Sequence, residues 1–348
     1  MSTDDKHGGA GGGPLKRSGL VGPALERLEQ QVRREFRESL EEIVNDPDSP
    51  RGALARRVAS PEDLQSLADD PPQDLVAVLG PVLCPMLNWV RMFDPQRIRK
   101  GKKGWEPTES FERGQRALLN GWYEDAIEAF KQTVERDNPE DFVSLFGLGQ
   151  LYIYWEGDPE AALPLLERAA RYAVPMNAQA WMKRFAAESF LACADLHVQL
   201  EGDYDLALKQ LDNAEQLTEP RPEIDLARAK IAAKAGRQQE VSPAIRRAVA
   251  SEWLYAVQVA LDPEFPPEIF EQVINALDGE RERVREEAAA GAEAARTKAD
   301  AALEGVDLEY GSSALKDAAR KVEDRVAKLD EASTGPAASL LKDLAQAE

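Results

Sequence analysis

Residues 109–139, ESFERGQRALLNGWYEDAIEAFKQTVERDNP, constrain the fold of this chain more than any other stretch of its sequence. Small and aromatic residues stand there at fixed offsets, namely Gly114, Gly121, Tyr123, Ala126 and Phe130. The first glycine allows one helix to approach a second closely, and the second glycine suits a tight turn between them. Because a single helical hairpin of this kind cannot bury its apolar face, the pattern predicts that further hairpins stack on it.

These offsets resemble the tetratricopeptide repeat family, although Pro139 falls one place later than the family's closing proline. Weaker copies follow at 141–174, 177–219 and 222–250. Their turn glycines are Gly121, Gly157, Gly202 and Gly236. The steps between them are 36, 45 and 34 residues, and only the last equals the family period. The third copy therefore carries an extension, either in its first helix or in the loop before it.

The resemblance implies an all-α, TPR-like α-solenoid of antiparallel helical hairpins with a concave groove. It also implies a non-catalytic scaffold or adaptor that binds a protein or peptide segment in that groove. In the first two copies a phenylalanine precedes a glutamine by four residues, which places both on one helix face. The ring would remove apolar area of a bound peptide from water, and the amide would pair with its backbone. Lysines of the fourth copy would receive acidic groups.

The groove residues implied by the family's positional pattern are Phe111, Gln115, Leu118, Phe146, Gln150, Ile153, Tyr154, Lys230 and Lys234. The alternative is that the aromatic side chains among them pack against neighbouring helices.

Composition divides the chain into five parts. They are a flexible arm (1–22), an N-terminal helical region with a basic linker (23–105), the repeat array (106–250), capping helices (251–278) and a charged, alanine-rich helical or coiled-coil tail (279–348). An apolar stripe on residues 24–44 predicts a helix that packs on its own body or pairs with another protein's helix. The tail helices would form a solvated extension or hairpin, or join two chains in a homo-oligomer.

A second hypothesis arises from the apolar run LVAVLGPVLCPMLNWV at 75–90, which precedes a basic cluster. The cluster consists of Arg97, Arg99, Lys100, Lys102 and Lys103. Such a pair of segments permits a membrane-surface tether or assembly component that contacts anionic lipid. A spanning helix needs about 20 apolar residues, whereas this run has 16 and contains Gly80, Pro81 and Pro85. We therefore favour a buried helix followed by a solvated basic linker.

Composition also limits the chemistry that we expect. A net charge of -20 argues against nucleic-acid binding. The two cysteines are 109 positions apart in apolar contexts, and histidine occurs only at His7 and His197. No phosphate-binding, dinucleotide-binding, zinc-protease or calcium-loop motif is present. We therefore expect no catalytic residue, cofactor or metal site, and the lack of a secretory signal in residues 1–20 favours the cytoplasm.

Overall fold

The computed structural model describes residues 22–46, 49–58, 73–98, 105–174, 178–251, 254–262, 264–265 and 269–275, with isolated positions up to 297. Regular structure in these residues is helical throughout, and no strand occurs among them. The expected all-α class is confirmed for this part of the chain. Nearly all of the arm and of the 279–348 tail lies outside the described residues, as do Arg99, Lys100, Lys102 and Lys103.

The described residues of the N-terminal region form four helices and a short turn. The helices are α1 (Pro23–Asn45), α2 (Pro50–Val58), α3 (Gln73–Leu83) and α4 (Pro85–Val90). A 3-10 turn, Arg91–Phe93, continues directly from α4. Pro23 and Pro85 each stand in the first turn of a helix, where the absent N–H group has no intrahelical partner to lose.

Four helical hairpins follow, and each helix packs against the next one along the chain. They are α5 (Glu109–Asn120) with α6 (Tyr123–Gln132), α7 (Phe142–Leu151) with α8 (Pro159–Tyr172), α9 (Ala180–Leu196) with α10 (Tyr204–Glu215), and α11 (Pro222–Lys234) with α12 (Gln238–Ser251). Helix α13 (Leu254–Leu261) and helical residues 269–275 come after them.

All four predicted turn glycines connect the two helices of a hairpin, and each has a positive φ between 64° and 80°. This left-handed conformation ends the first helix at little cost only when the residue is glycine. In the second and third hairpins the next residue is an aspartate that caps the second helix. Asp158 accepts from Ala161 N at 3.0 Å, and Asp203 accepts from Leu206 N at 2.9 Å. The turns predicted from the sequence are thus confirmed.

Two departures from the repeat spacing expected from the sequence coincide with wider, π-helical turns. The second hairpin has one extra residue before its glycine, and there Tyr152–Glu156 form such a turn, with Gly157 N–H donating to Tyr152 O. A π turn takes one more residue per hydrogen bond than an α turn, so it absorbs the insertion. A second π turn, Thr133–Asp137, follows α6, and in it Asn138 N donates to Thr133 O at 2.8 Å. It lies just before Pro139, the proline that falls one place later than in the family pattern.

The extension predicted in the third copy lies at least partly in its first helix. Helix α9 has 17 residues, against 12, 10 and 13 in α5, α7 and α11. A further π turn, His197–Glu201, separates α9 from Gly202.

Helix α1 joins the two ends of the hairpin array. Its Leu25, Leu28 and Val32 belong to a core shared with the first three hairpins. Phe36 and Leu40 belong to a second core with α2, α3, the last hairpin and α13. A helix of 23 residues is about 35 Å long, which lets it reach both. The apolar stripe predicted at 24–44 therefore packs on the chain's own body.

Candidate functional site

The first helices of the four hairpins, α5, α7, α9 and α11, form what we call the inner face. Equivalent positions on these four helices are found by counting back from each turn glycine and allowing one extra residue where a π turn comes before that glycine. One such position holds Gln115, Gln150, Asp195 and Lys230 in the four hairpins in turn. The structure gives the first two and the last two different surroundings.

The front of the inner face, on α5 and α7, is covered by the chain itself. We call residues 84–98 the inner segment. Phe93 of this segment is fully buried and contacts aromatic rings from three hairpins. Its ring centroid lies 5.6 Å from that of Phe130, 6.3 Å from that of Phe146 and 6.0 Å from that of Phe185. The ring is thus enclosed by side chains of α6, α7 and α9.

Backbone contacts fix the same residue. Gln115 donates from Nε2 to the carbonyl oxygen of Phe93 at 2.7 Å, and this buried hydrogen bond satisfies both groups. Gly147 leaves the space that the ring occupies, since a Cβ atom there would lie 2.7 Å from Phe93 Cζ. We expected aromatic rings to contact one side chain of a bound peptide and an amide to hydrogen-bond to its backbone. In the structure these contacts are made with the inner segment.

Trp105 covers the adjoining part of α5 and α7. Its ring centroid lies 5.0 Å from that of Phe111 and 6.3 Å from that of Phe142, and the side chain is buried. Asp141, the N-cap of α7, is buried nearby and accepts from Ser144 N at 2.9 Å. Burial raises the pKa of Asp141 to about 6, although the hydrogen bond from the Ser144 backbone acts in the opposite direction.

These contacts correct the expectation of an open groove along the first two copies. Five of the nine implied groove residues are buried, namely Phe111, Gln115, Leu118, Phe146 and Gln150. Ile153 is half-buried and packs against the same core. The physical reason is that the apolar inner segment and Trp105 occupy this surface, so water and a partner chain do not reach it.

The rear of the inner face remains accessible to water. Tyr154 is 43% exposed, and Asp195 and Glu264 are exposed as well. Together with Lys230 and Lys234 they form what we call the open cleft. The cleft combines the end of the second hairpin's first helix, the third and fourth first helices, and the segment after α13.

Ion pairs within the cleft involve both lysines that were expected to receive acidic groups of a partner. Lys230 Nζ lies 2.9 Å from Glu264 Oε2 and 3.3 Å from Asp262 Oδ2, and Lys234 Nζ lies 3.4 Å from Glu264 Oε2. Both ammonium groups are therefore paired with carboxylates of the chain itself. An acidic group of a partner would have to displace these carboxylates.

The surrounding protein shifts the pKa values of the cleft residues even though water reaches their side chains. Burial raises the pKa of Asp195, and it also raises the pKa of Tyr154, on which the Asp195 charge acts in the same direction. Burial alone would lower the pKa of Lys230, but the carboxylates of Asp195, Asp262 and Glu264 together raise it. These opposing effects are those of a recessed site with a reduced local dielectric.

Asp195 has no salt bridge or hydrogen bond through its carboxylate within the described residues. The sequence analysis missed it, although the recurring position that it shares with Gln115, Gln150 and Lys230 was available as a signal. Counting back from Gly202, with one extra residue for the π turn, identifies it. Phe93 had no comparable signal, because its position depends on contacts between distant parts of the chain.

Much of the apolar run at 75–90 is buried where its side chains are described. Leu79, Leu87 and Val90 are fully buried, and Trp89 is 4% exposed. None of the described helices is both long and apolar enough to cross a membrane. The membrane-surface tether stays a prediction, and the burial of these side chains does not favour it. Of the basic cluster, only Arg97 lies within the described residues, and it is exposed.

Reactive groups elsewhere are packed. Cys84 and Cys193 are buried free thiols, and burial raises the pKa of each. His197 is also buried, with Nδ1 3.2 Å from Glu201 Oε2. Among the described residues no group of histidine, cysteine, aspartate and glutamate is arranged to hold a metal ion.

Comparison with known proteins identifies no relative. No protein-family model matches the chain, and neither the curated proteins nor the solved structures include a significant match. The case for function therefore depends on the chain's own geometry.

Proposed function

We propose that this chain is a non-catalytic, TPR-like adaptor of the cytoplasm whose open cleft binds a basic segment of a partner protein. The observation that carries the proposal is the unpaired carboxylate of Asp195 in the same cleft as the exposed ring of Tyr154. A carboxylate with a raised pKa in a recessed site is stabilised by an added cation. An aromatic ring beside it offers a second attraction for the same cation.

The charges within the cleft and the net charge of the whole chain both favour a basic partner segment over an acidic one. Within the cleft, Lys230 and Lys234 are occupied by Asp262 and Glu264, so the unpartnered charge is negative. At long range, a chain with a net charge of -20 attracts cationic segments and repels acidic ones. This replaces the earlier expectation that the two lysines receive acidic groups.

Photo-crosslinking tests the location of the partner. A photoreactive amino acid is placed at Tyr154 in cells that express the protein, and at Trp155 as the control. Trp155 is adjacent in sequence and similarly exposed, at 46%, but its ring contacts Tyr123 at 4.8 Å. We expect position 154 to capture a partner through a peptide that contains lysine or arginine. Capture of the same proteins from both positions would contradict the proposal.

The affinity of the captured partner then tests the role of the carboxylate. Asp195→Asn should weaken binding at least about tenfold, or about 1.4 kcal/mol, because it removes the charge and keeps the shape. Asp125→Asn, at an exposed position in the first turn of α6, is the matched control. Binding should also weaken as the pH falls, since protonation of Asp195 begins at a higher pH than for an ordinary aspartate. Equal affinities of the two variants would reject Asp195 as the contact.

A further inference from the structure

A pocket separate from the open cleft lies between the inner segment and the start of α9. Its volume is about 530 Å³, and it is open to solvent on one side. One wall is the turn at 94–98, and the other is the first two turns of α9. The lining residues are Met92, Gln96, Arg97, Gln179, Ala180, Trp181, Arg184 and Phe185.

The turn that carries Arg97 is well fixed. Arg97 N donates to Asp94 O at 2.8 Å, and Gln96 N donates to Asp94 Oδ1 at 2.9 Å. Ile98, the next residue, is 2% exposed and anchors the turn in the core. Arg97 is therefore held at the edge of the pocket while its guanidinium group remains in contact with water.

Two arginines line this pocket without a carboxylate partner among the described residues. Neither Arg97 nor Arg184 forms a salt bridge with any described residue. Some arginines of the described residues are paired, as Arg91 is with Glu29 at 2.8 Å and Arg221 with Glu188 at 2.7 Å. Others, such as Arg136, Arg171 and Arg246, are exposed and form no salt bridge with a described residue. What distinguishes Arg97 and Arg184 is that both line one pocket, where a bound anion would neutralise their charges.

The charges of the two arginines interact. Burial lowers the pKa of Arg97, and the positive charges of Arg184 and Arg91 lower it further, while Asp94 offsets part of this effect. A doubly charged anion between the guanidinium groups would remove the repulsion. Guanidinium groups bind phosphate oxygens in a bidentate manner, which suits a phosphate monoester.

The floor of the pocket is apolar and rigid. Phe185 and Met92 are buried, and Trp181 is held by neighbouring rings, 5.6 Å from both Trp105 and Phe142. Trp181 Nε1 also donates to Gln179 Oε1 at 3.2 Å. An apolar floor below a charged rim is typical of small-ligand sites, and the volume lies within their usual range of roughly 300–1,000 Å³.

We infer that this pocket binds a soluble organic phosphate, with Arg97 and Arg184 on the phosphate and the apolar floor beneath a ring-sized group. The site is distinct from the open cleft, and its occupancy does not depend on the proposed adaptor function.

Isothermal titration with phenyl phosphate tests this assignment on the full-length protein. Inorganic phosphate serves as the anion without a ring, and benzyl alcohol as the ring without an anion. We expect saturable one-site binding of phenyl phosphate with a Kd on the order of 1 mM or tighter. Inorganic phosphate should bind more weakly, and benzyl alcohol should show no saturable binding.

Variants identify the residues responsible. Arg97→Gln and Arg184→Gln should each weaken the binding of phenyl phosphate at least about tenfold. Arg246→Gln removes the same charge from an exposed position on α12 and should have no effect. All three variants should unfold at the temperature of the parent protein, because their side chains are exposed. The absence of saturable binding, or an equal loss in Arg246→Gln, would overturn the assignment.

A lipid headgroup is the other source of a phosphate monoester. Sedimentation with phosphatidylcholine vesicles that contain phosphatidic acid distinguishes the two sources. We expect no sedimentation above that with phosphatidylcholine alone. Sedimentation that phenyl phosphate abolishes would overturn the assignment to a soluble ligand.

Discussion

The front and the rear of the inner face use one helix position in opposite ways. In the first two hairpins this position holds Gln115 and Gln150. Both are buried, and Gln115 donates a hydrogen bond to the inner segment. In the last two hairpins the position holds Asp195 and Lys230, which line a cleft that water reaches. The covering chain makes the difference, since Phe93 fills the front with apolar area while the rear carries charges. A shared helix position thus indicates where a side chain lies, but the chain that covers it determines whether the side chain is accessible to a partner.

The largest expected contrast is between the aromatic residues of the two regions. Phe93→Ala should lower the free energy of unfolding by about 3–5 kcal/mol, because it leaves a cavity among Phe130, Phe146 and Phe185. Tyr154→Ala, at an exposed position, should change it by no more than about 0.5 kcal/mol. Urea unfolding followed by circular dichroism measures both. Similar losses for the two variants would remove the distinction between front and rear.

A pH-dependent effect should follow from Asp141. Its pKa in the folded state, about 6, lies above the ordinary value of 3.8, so the folded chain binds more protons between these pH values. The stabilisation from the protonated group is therefore present below about pH 4 and lost as the pH rises through about 6. Asp141→Asn keeps a capping side chain and should raise stability at pH 8 by up to about 3 kcal/mol.

Urea unfolding of this variant and its parent at several pH values is the measurement. The difference between them should become small near pH 4 and disappear below about pH 3, where Asp141 is protonated in both states. A gain of the same size at pH 4 and pH 8 would show that the carboxylate is not responsible.

Close packing at the front predicts a smaller effect for Gly147→Ala. The added Cβ atom would meet the Phe93 ring at 2.7 Å, so we expect a loss of about 1–3 kcal/mol in the free energy of unfolding. The higher helix propensity of alanine offsets up to about 1 kcal/mol of the strain. Combining it with Phe93→Leu should cost less than the sum of the two single changes, as measured in a double-mutant cycle. Additive losses would mean that the two residues do not compete for space.

The smallest effect is expected in the open cleft. Lys234→Ala removes an ion pair with Glu264 whose side chains are both exposed to water, at 34% and 56%. Exposed pairs contribute about 0–1 kcal/mol, so the unfolding transition in urea should hardly move. A loss above about 2 kcal/mol would indicate that the cleft is part of the core.

Local features of this chain were predictable from the sequence, and long-range contacts were not. The turn at Gly157 follows from glycine's access to positive φ, and the packing of α1 follows from its apolar stripe. The spacing of residues in the sequence showed that one residue is inserted before Gly157. Only the structure showed that a π turn accommodates it. Docking of Phe93 onto the front depends on residues far along the chain, so no local pattern reports it. The groove assignment failed there for that reason.

Thiol labelling at the shared helix position tests the central claim most directly. Gln115→Cys and Asp195→Cys place one new thiol in each region, while the native Cys84 and Cys193 are buried and supply a slow background. We predict rapid labelling of native Asp195→Cys, and labelling of Gln115→Cys no faster than that background, because the inner segment covers it. Equally rapid labelling of the two variants under native conditions would contradict the account, since the front would then be as open as the rear.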